Sequence, residues 1–239
     1  MTTPERPLWR LPQCYRIVLG LLLMSVHDGM THCAHATPVD SAAYLSPLEK
    51  DMVHEINVAR TQPQKYAALL AQLRPHYVGT KLQHPGDLAP ASGRGAALMT
   101  REGVKAVEEA IAFLRATSPL PPLTVSRGMS LGAKDLVKDQ SQAGGVGHQG
   151  SDGSYSDTRV NRYGRWQRRT AENIAYGIAS TRGMMMTFII DDGVPGRGHR
   201  HNLFDPQSHV VGVACGSHRT WQIMCVMTFA AGYIERTTQ

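Results

Sequence analysis

Segments with helical spacing of apolar residues dominate the chain up to residue 143. The first helix is predicted to begin after Ser46, because Ser46 at the N-cap, Pro47 in the first turn and Glu49 at the capping-box position form a strong helix start. Its apolar residues fall on one face: Leu48, Met52, Val53, Ile56 and Ala59. Pro63 ends this helix. The same spacing predicts three further helices, over 64–73, 100–115 and 126–143.

Two runs near the C-terminus, Val210–Cys215 and Gln222–Phe229, have the composition of β-strands and predict a hairpin. If the turn lies near Thr220, Cys215 and Cys225 face each other across the two strands. We expect these cysteines to form a disulfide in an oxidising compartment, and a pair of buried thiols is the alternative.

The order of the elements predicts the α+β class. Helices come early and strands come late, without the βαβ alternation of a parallel doubly wound sheet. Residues 182–190 are compatible with either a helix or a strand. Residues 75–98 have the glycine and proline content of a loop, and a loop of this length is expected to be functional or mobile.

The N-terminus has the features of a secretory signal peptide. Arginines precede the mostly apolar residues 17–26, and Ala34-His35-Ala36 offers small residues for cleavage after Ala36. The apolar run is too short to span a bilayer, and no later segment predicts a transmembrane helix. We therefore expect a secreted or periplasmic protein with four parts: signal peptide 1–36, linker 37–45, one domain 46–235 and tail 236–239.

The net charge of +6 is compatible with anionic surfaces and too small to indicate nucleic-acid binding. Five arginines lie close together, with Tyr163 and Trp166 among them: Arg159, Arg162, Arg165, Arg168 and Arg169. We expect this segment to be a solvated loop. The alternative is contact with anionic lipid headgroups or envelope polymers, because guanidinium groups bind phosphate well.

Histidines and carboxylates concentrate in three segments. Residues 191–202 hold two acids, three glycines and two histidines after an apolar run, so we expect an ordered loop rather than a regular helix. His148 lies in the glycine-rich stretch 147–154, and Glu172 is the lone carboxylate of the apolar segment 171–177. Imidazoles beside carboxylates are suited to metal binding or proton transfer. The remaining charges of the first segment are expected to shape its turn, with Asp191 and Asp192 balancing Arg197 and Arg200.

The order of these segments resembles the CAP superfamily (cysteine-rich secretory protein, antigen 5 and pathogenesis-related 1; SCP-like), and more closely its secreted bacterial or protist branch. The resemblance spans Leu48 to Tyr233 and rests on these motifs: Asn57…Arg60, Gly147-His148, Glu172-Asn173-Ile174, Gly198-His199-Arg200 and Val211–Ala214. It implies a three-layer α-β-α sandwich, in which a central twisted antiparallel sheet lies between helices.

The resemblance also implies a cleft lined by two histidines and acidic residues. Three of them follow from the motifs: His148, His199 and Glu172. Where the family has its second acid, this chain has Arg159. Asp152 and Asp157 are the nearest substitutes, and Asp152 is favoured because Gly153 lets the backbone turn its carboxylate inward.

Such a cleft is expected to hold Zn²⁺ or another divalent metal ion on His148, His199, Glu172 and Asp152. We expect a secreted protein that binds an envelope polymer, a lipid or a protein, and whether it is an enzyme stays open. One alternative is a metal-assisted hydrolase of peptide or cell-envelope substrates, with Glu172 as general base beside His148 and His199. A second alternative is an interaction scaffold in which the four residues only stabilise the fold. His201 is expected to face solvent.

Overall fold

The computed structural model describes residues 42–93 and 97–236. The predicted signal peptide 1–36, the linker up to residue 41 and the tail from 237 onward lie outside the described residues. Within these ranges the helices are α1 (Pro47–Thr61), α2 (Pro63–Ala71), α3 (Val104–Ala116), α4 (Arg127–Ala143), α5 (Ser156–Asn161), α6 (Thr181–Ile190) and α7 (Gly198–Leu203). The strands are β1 (Tyr77–Val78), β2 (Lys81–Gln83), β3 (Ala97–Met99), β4 (Thr124–Val125), β5 (Gly164–Tyr176), β6 (Val210–His218) and β7 (Gln222–Glu235).

The helix start at Ser46 is formed as the sequence predicts. The Ser46 hydroxyl accepts a hydrogen bond from the main-chain N–H of Glu49, and the Glu49 carboxylate accepts one from the main-chain N–H of Ser46 at 2.7 Å. This reciprocal capping box satisfies donors that the first turn of a helix leaves unpaired. Met52, Val53 and Ile56 are fully buried, so the apolar face read from the sequence is the face that packs.

The central sheet has the strand order β4-β6-β7-β5. Strands β5, β6 and β7 pair antiparallel, whereas the short β4 pairs parallel with β6. Helix α4 packs on one face of the sheet, and α1 packs on the other face together with α6. This is the predicted α+β class with helices on both sides of the sheet. No helix in the described part of the chain is both long and apolar enough to cross a membrane.

Side chains of β6 alternate between the two layers, as the pleat of a strand requires. Val211 and Val213 belong to the core beneath α1 and α6, while Ala214 packs with α4. Gly212 lies where α4 comes closest, since a Cβ there would be 2.3 Å from the main-chain carbon of Met129. A glycine at this position therefore permits the close approach of helix and sheet.

Residues 75–98, expected to form a long loop, contain short strands as well as turns. Strands β1, β2 and β3 form a small antiparallel sheet there. Tyr77, Leu82 and Leu98 are cross-strand partners, and Leu82 is fully buried against the main core. Strands of two or three residues are too short for a period-two pattern, so the sequence shows only the glycines and prolines of their turns.

Residues 182–190 belong to the helix α6. Its N-cap is Ser180, whose hydroxyl accepts a hydrogen bond from the main-chain N–H of Gly183 at 2.9 Å. Nearly every side chain of α6 is buried, including the methionines 184–186, because α1, α3 and α7 pack around it. A helix surrounded by other elements has no polar stripe, so its sequence carried no helical period.

The C-terminal hairpin is confirmed. Cys215 and Cys225 are directly opposed partners of β6 and β7, and they form a disulfide. The hairpin turn lies between His218 and Gln222, close to the predicted centre.

Candidate functional site

His199 is held by the residue that ends α6. Asp191 is the C-cap of α6 in the left-handed conformation (φ 54°), and its side chain is 3% exposed. Its carboxylate accepts hydrogen bonds from the main-chain N–H of His199 at 2.9 Å and from His199 Nδ1 at 2.7 Å. Helix α7 begins at Gly198, so the expected absence of a helix in 191–202 is wrong for its end. Pro195, which would break a helix, and two of the three glycines of this segment precede α7 and therefore do not interrupt it.

The segment before His199 is tied down by ion pairs. Arg197 donates to Glu102 at 2.6 and 2.7 Å and to Glu109 at 2.5 and 3.0 Å. Hydrogen bonds from Arg197, and next from the main-chain N–H of Gly193, lower the pKa of Glu102 to about 2. The expectation that the side chain of Asp191 balances Arg197 is wrong. Arg197 meets only the main-chain oxygen of Asp191, at 2.7 Å, because the carboxylate is turned to His199.

His148 follows α4 and is positioned through its neighbour Gly147. The main-chain N–H of Gly147 donates to the Tyr176 hydroxyl at 3.0 Å, and its oxygen accepts from Gln140 Nε2 at 2.8 Å. The Tyr176 hydroxyl in turn donates to Gln140 Oε1 at 2.7 Å. His148 Nδ1 donates to Glu172 Oε1 at 3.0 Å, and the imidazole is about half exposed (49%).

Glu172 lies between His148 and Arg159. Arg159 Nη2 donates to Glu172 Oε2 at 2.7 Å, and the two side chains are 2% and 3% exposed. Arg159 Nη1 donates to the main-chain oxygens of His148 at 3.0 Å and Ser154 at 2.8 Å. The expectation of a solvated loop is therefore wrong for Arg159, which lies on α5 and is buried because it pairs with Glu172.

Two of the other arginines of the predicted cluster are paired with acids. Arg162 bridges Asp135 and Asp152, and Arg169 pairs with Asp205 at 2.8 Å. These acids offset part of the positive charge of the cluster, whereas Arg165 and Arg168 lie exposed on β5. Contact with anionic headgroups, the alternative to a solvated loop, stays a prediction.

Asp152 does not join Glu172. Its Oδ1 accepts from the main-chain N–H of Ser154 at 2.9 Å, and its Oδ2 accepts from Arg162 at 2.5 Å. It borders a separate polar cavity of about 230 Å³. Asp157 lies on α5, where its carboxylate accepts a 3.5 Å contact from the hydroxyl of Thr158. The expected fourth member of the cleft is thus turned elsewhere, because Arg162 at the C-terminal end of α5 is its nearer partner.

Strand β5 connects the two histidines. Glu172 holds His148, and the side-chain amide of the next residue, Asn173, donates to the main-chain oxygen of His199 at 3.0 Å. Neighbouring side chains of a strand point to opposite faces. The histidines therefore reach β5, an edge strand of the sheet, from its two faces. His201 is exposed, as expected, with its ring beside Phe113.

An apolar groove adjoins this edge. It consists of two neighbouring cavities of about 270 and about 540 Å³, which share the lining residues Leu88, Leu98, Tyr176, Ile178 and Thr187. His199 and Asp191 border the smaller cavity, and the half-exposed Trp221 borders the larger one. The groove thus joins a polar end at the histidine to a longer apolar part.

The residues present fit a metal ion only in part. Within the ranges that the structure describes, no group of three or more His, Cys, Asp or Glu side chains is arranged to hold a metal ion. Each imidazole nevertheless has its Nδ1 hydrogen-bonded to a buried carboxylate, which leaves Nε2 as the nitrogen available to a ligand. The available donors are therefore the Nε2 atoms of the two imidazoles, each oriented by its own carboxylate, Glu172 for His148 and Asp191 for His199.

Asp191 and Arg159 were missed as functional residues by the sequence analysis. An acid directly after the apolar run 184–190 is unusual, because the C-terminus of a helix favours cations. Arg159 stands where the resemblance leads one to expect an acid. Both departures are visible in the sequence, but neither identifies the partner of the side chain.

Similar structures come from bacterial extracellular proteins. An extracellular protein with an SCP domain from Bacillus anthracis has a TM-score of 0.39 and 19% identity, over 52% of this chain and 38% of that one. An outer surface protein from Borrelia burgdorferi has a TM-score of 0.41 and 16% identity, over 53% and 89%. A cysteine-rich secretory protein from Staphylococcus aureus has a TM-score of 0.33 and 13% identity, over 54% and 38%. No curated protein matches the chain.

The sequence profile of the cysteine-rich secretory protein family, CAP, matches residues 108–229, more than half of the chain. The matched region contains His148, Glu172 and His199 together with the strands β5 and β6 and most of β7. The chain therefore belongs to the cysteine-rich secretory protein (CAP) family.

Proposed function

We propose that this protein is an exported, non-enzymatic binding protein. Its metal site lies around the edge of β5, which His148 and His199 approach from the two faces of the sheet, and the apolar groove takes a small ligand with an apolar part. The observation that carries the proposal is the shared geometry of the two histidines, each of which has a buried carboxylate on Nδ1. That arrangement fixes the tautomer with Nε2 unprotonated, the form in which imidazole binds a metal ion.

Zn²⁺ is a divalent ion that suits imidazole donors. Imidazole nitrogen is one of its preferred ligands, and two protein ligands leave positions for water or for a polar group of a bound molecule. When bound, the ion would supply a Lewis acid at the polar end of the groove. Glu172 and Asp191 would keep both rings oriented.

The ligand class follows from the groove. Its volume lies in the range of small-molecule sites, and most of its lining is apolar. A lipid or another molecule with a hydrocarbon part matches this surface better than an envelope polysaccharide does, because sugars require many polar partners. Export is supported by the predicted signal peptide, and the disulfide Cys215–Cys225 is typical of an oxidising compartment.

The geometry gives no specific support to the hydrolase alternative. A general base must be free to accept a proton, and both oxygens of Glu172 are engaged, by His148 and Arg159. The hydroxyl of Ser151 donates to Asp139, and Ser154 is buried. Neither serine has a hydrogen bond to His148 or His199 within the described part of the chain.

Zinc binding by the purified mature protein tests the metal site. We expect about one zinc per chain after dialysis, lost in His148→Ala and in His199→Ala. His201→Ala is the matched control, because His201 is an exposed histidine on the same short helix as His199. Circular dichroism checks the fold of each variant. If His148→Ala and His199→Ala keep their zinc, the site is wrong. If they unfold and the wild type holds no zinc, the two histidines and the carboxylates that orient them serve the fold alone.

A second experiment tests the groove. Thr187 lines both cavities yet is exposed on α6, so Thr187→Trp fills the groove without entering the core. We expect it to weaken binding of a fluorescent fatty-acid analogue at least tenfold. Lys134→Trp, at an exposed position of α4 on the opposite layer, should bind as the wild type does. No binding by the wild type, or equal binding by Thr187→Trp, would contradict the proposed ligand class.

A further inference from the structure

The smaller cavity of the apolar groove has acidic side chains at its polar end. Asp191, Asp192 and His199 border this cavity together, and no lysine or arginine is among the described residues that line either cavity. Asp191 is 3% exposed, and its carboxylate is already engaged by His199. Asp192 is partly exposed, so its carboxylate is the charge that a ligand in the smaller cavity meets.

In the part of the chain that the structure describes, Asp192 is held by main-chain donors rather than by a cationic side chain. Its Oδ2 accepts from the main-chain N–H of Arg101 at 2.6 Å, and its Oδ1 accepts from that of Glu102 at 2.8 Å. The side chain of Arg101 lies against Gly193, where a Cβ would be 2.2 Å from its Cδ, and it does not border the cavity. Main-chain donors fix the carboxylate in place but do not neutralise its charge.

Hydrogen-bond acceptors lie around the same end of the cavity. His199 Nδ1 donates to Asp191, which leaves Nε2 as an acceptor. Tyr77 and Thr100 add two hydroxyl groups to the lining. Burial, followed by the negative charge of Asp192, raises the pKa of Tyr77, so this carboxylate lies close to the Tyr77 hydroxyl. The polar end therefore offers a ligand both acceptors and negative charge.

The head group of a ligand has to complement this end of the groove. A protonated amine has three N–H donors and a positive charge, so it suits the carboxylate of Asp192 and the Nε2 of His199. A carboxylate has only acceptors and would face Asp192 without a counter-charge. Bringing an unpaired charge into a largely apolar groove is unfavourable, because the charge loses its hydration.

We propose that the groove selects amphiphiles that carry a protonated amine. The ammonium group lies at Asp192 and His199, and the hydrocarbon chain lies along the apolar lining. Fatty acids enter the same groove with lower affinity. This inference rests on the apolar groove of the proposed function and not on its metal site, and it deepens that function by naming the head group of the ligand.

The overall charge of the protein makes this preference a demanding one. The net charge of the chain is +6, so nonspecific attraction favours a fatty acid over an amine. A preference for the amine must therefore come from the local charge of the groove.

The test compares dodecylamine, dodecanol and dodecanoate, which share one chain length, as competitors of the neutral fluorescent dye Nile red. The mature protein is kept in a metal chelator at about pH 7.5, where the amine is protonated and the acid is ionised. We expect dodecylamine to bind at least tenfold more tightly than dodecanoate. Asp192→Asn removes the charge and should lower the affinity for dodecylamine at least tenfold relative to that for dodecanol. Asp51→Asn, an exposed acid on α1, is the matched control and should bind all three as the wild type does.

Two substitutions of Thr187 give a second readout that leaves the main-chain contacts of Asp192 intact. Thr187 is exposed on α6 and lines both cavities. Thr187→Lys brings a positive charge into the groove and should lower the ratio of amine affinity to acid affinity at least tenfold. Thr187→Glu, its match of opposite charge, should raise that ratio. Both new residues have good helix propensity, so we expect α6 to keep its fold.

The outcomes separate this inference from the proposed function. If the dye does not bind, or if no competitor displaces it, the proposed ligand class fails and the inference fails with it. If dodecanol binds but dodecylamine is not at least tenfold tighter than dodecanoate, the groove stands and the inference is overturned. An unchanged preference in folded Asp192→Asn also overturns it. If Asp192→Asn unfolds, the Thr187 variants decide, and equal preferences in Thr187→Lys and Thr187→Glu overturn the inference.

Discussion

Replacement of Asp191 gives the sharpest test of how His199 is held, because three substitutions separate backbone conformation from hydrogen bonding. The residue has φ 54°, a conformation that glycine adopts freely, asparagine tolerates and alanine does not. Its carboxylate accepts two hydrogen bonds from His199, at 2.7 and 2.9 Å. Hydrogen bonds to charged groups contribute about 1.5–3 kcal/mol each.

Asp191→Asn keeps the backbone conformation and one acceptor oxygen, so we expect the free energy of unfolding to fall by about 2 kcal/mol. Asp191→Gly loses both hydrogen bonds, so its free energy of unfolding should be about 3–5 kcal/mol lower than that of the wild type. Asp191→Ala adds about 1–2 kcal/mol of left-handed strain to that loss. In a domain of this size each kcal/mol of lost stability lowers the melting temperature by about 2–4 °C.

Urea unfolding followed by circular dichroism measures the order of these variants. Asp51→Asn is the control, since Asp51 is exposed on α1 and should change stability by less than about 0.5 kcal/mol. The zinc affinity of Asp191→Asn should also fall about 10–100-fold, the usual effect of losing the carboxylate that orients a metal-binding histidine. If Asp191→Gly is as stable as Asp191→Asn, the contacts to His199 do not stabilise the segment and the reasoning is refuted.

Two further predictions concern the hairpin and the acid response. The Cys215→Ser/Cys225→Ser variant should be about 3 kcal/mol less stable, because without the disulfide the unfolded chain regains the entropy that cross-linking residues at a sequence separation of 10 removes. Reductant should shift the urea midpoint of the wild type to that of the variant and leave the variant unchanged. The pKa of Glu102 is about 2 in the folded protein against 4.5 when unperturbed, so its pairing with Arg197 stabilises the fold above about pH 4.5, and this contribution is lost as the pH falls toward 2. Calorimetry between pH 6 and 2.5 should therefore show a smaller loss of melting temperature in Glu102→Gln than in the wild type, and parallel curves would contradict the pairing.

Local signals in the sequence were reliable where neighbours along the chain decide the structure. The capping box at Ser46 joins residues three positions apart, and Cys215 and Cys225 meet because a short turn joins their strands. The segment α6 was ambiguous, because burial on all sides removes the polar stripe that marks a helix. The three short strands between 77 and 99 were invisible for the opposite reason, since they are too short to show a period.

The candidate site also combines features that are local in the sequence with features that depend on packing. The sequence determined that His148, Glu172 and His199 belong to one family pattern, because glycine-bounded histidines and a lone carboxylate are local features. Only the tertiary structure decided which partner each of them meets: Arg159 for Glu172, Asp191 for His199 and Arg162 for Asp152. A buried charge pairs with whichever opposite charge the packing brings within reach, and that choice depends on how α5, β5 and α7 meet rather than on spacing along the chain.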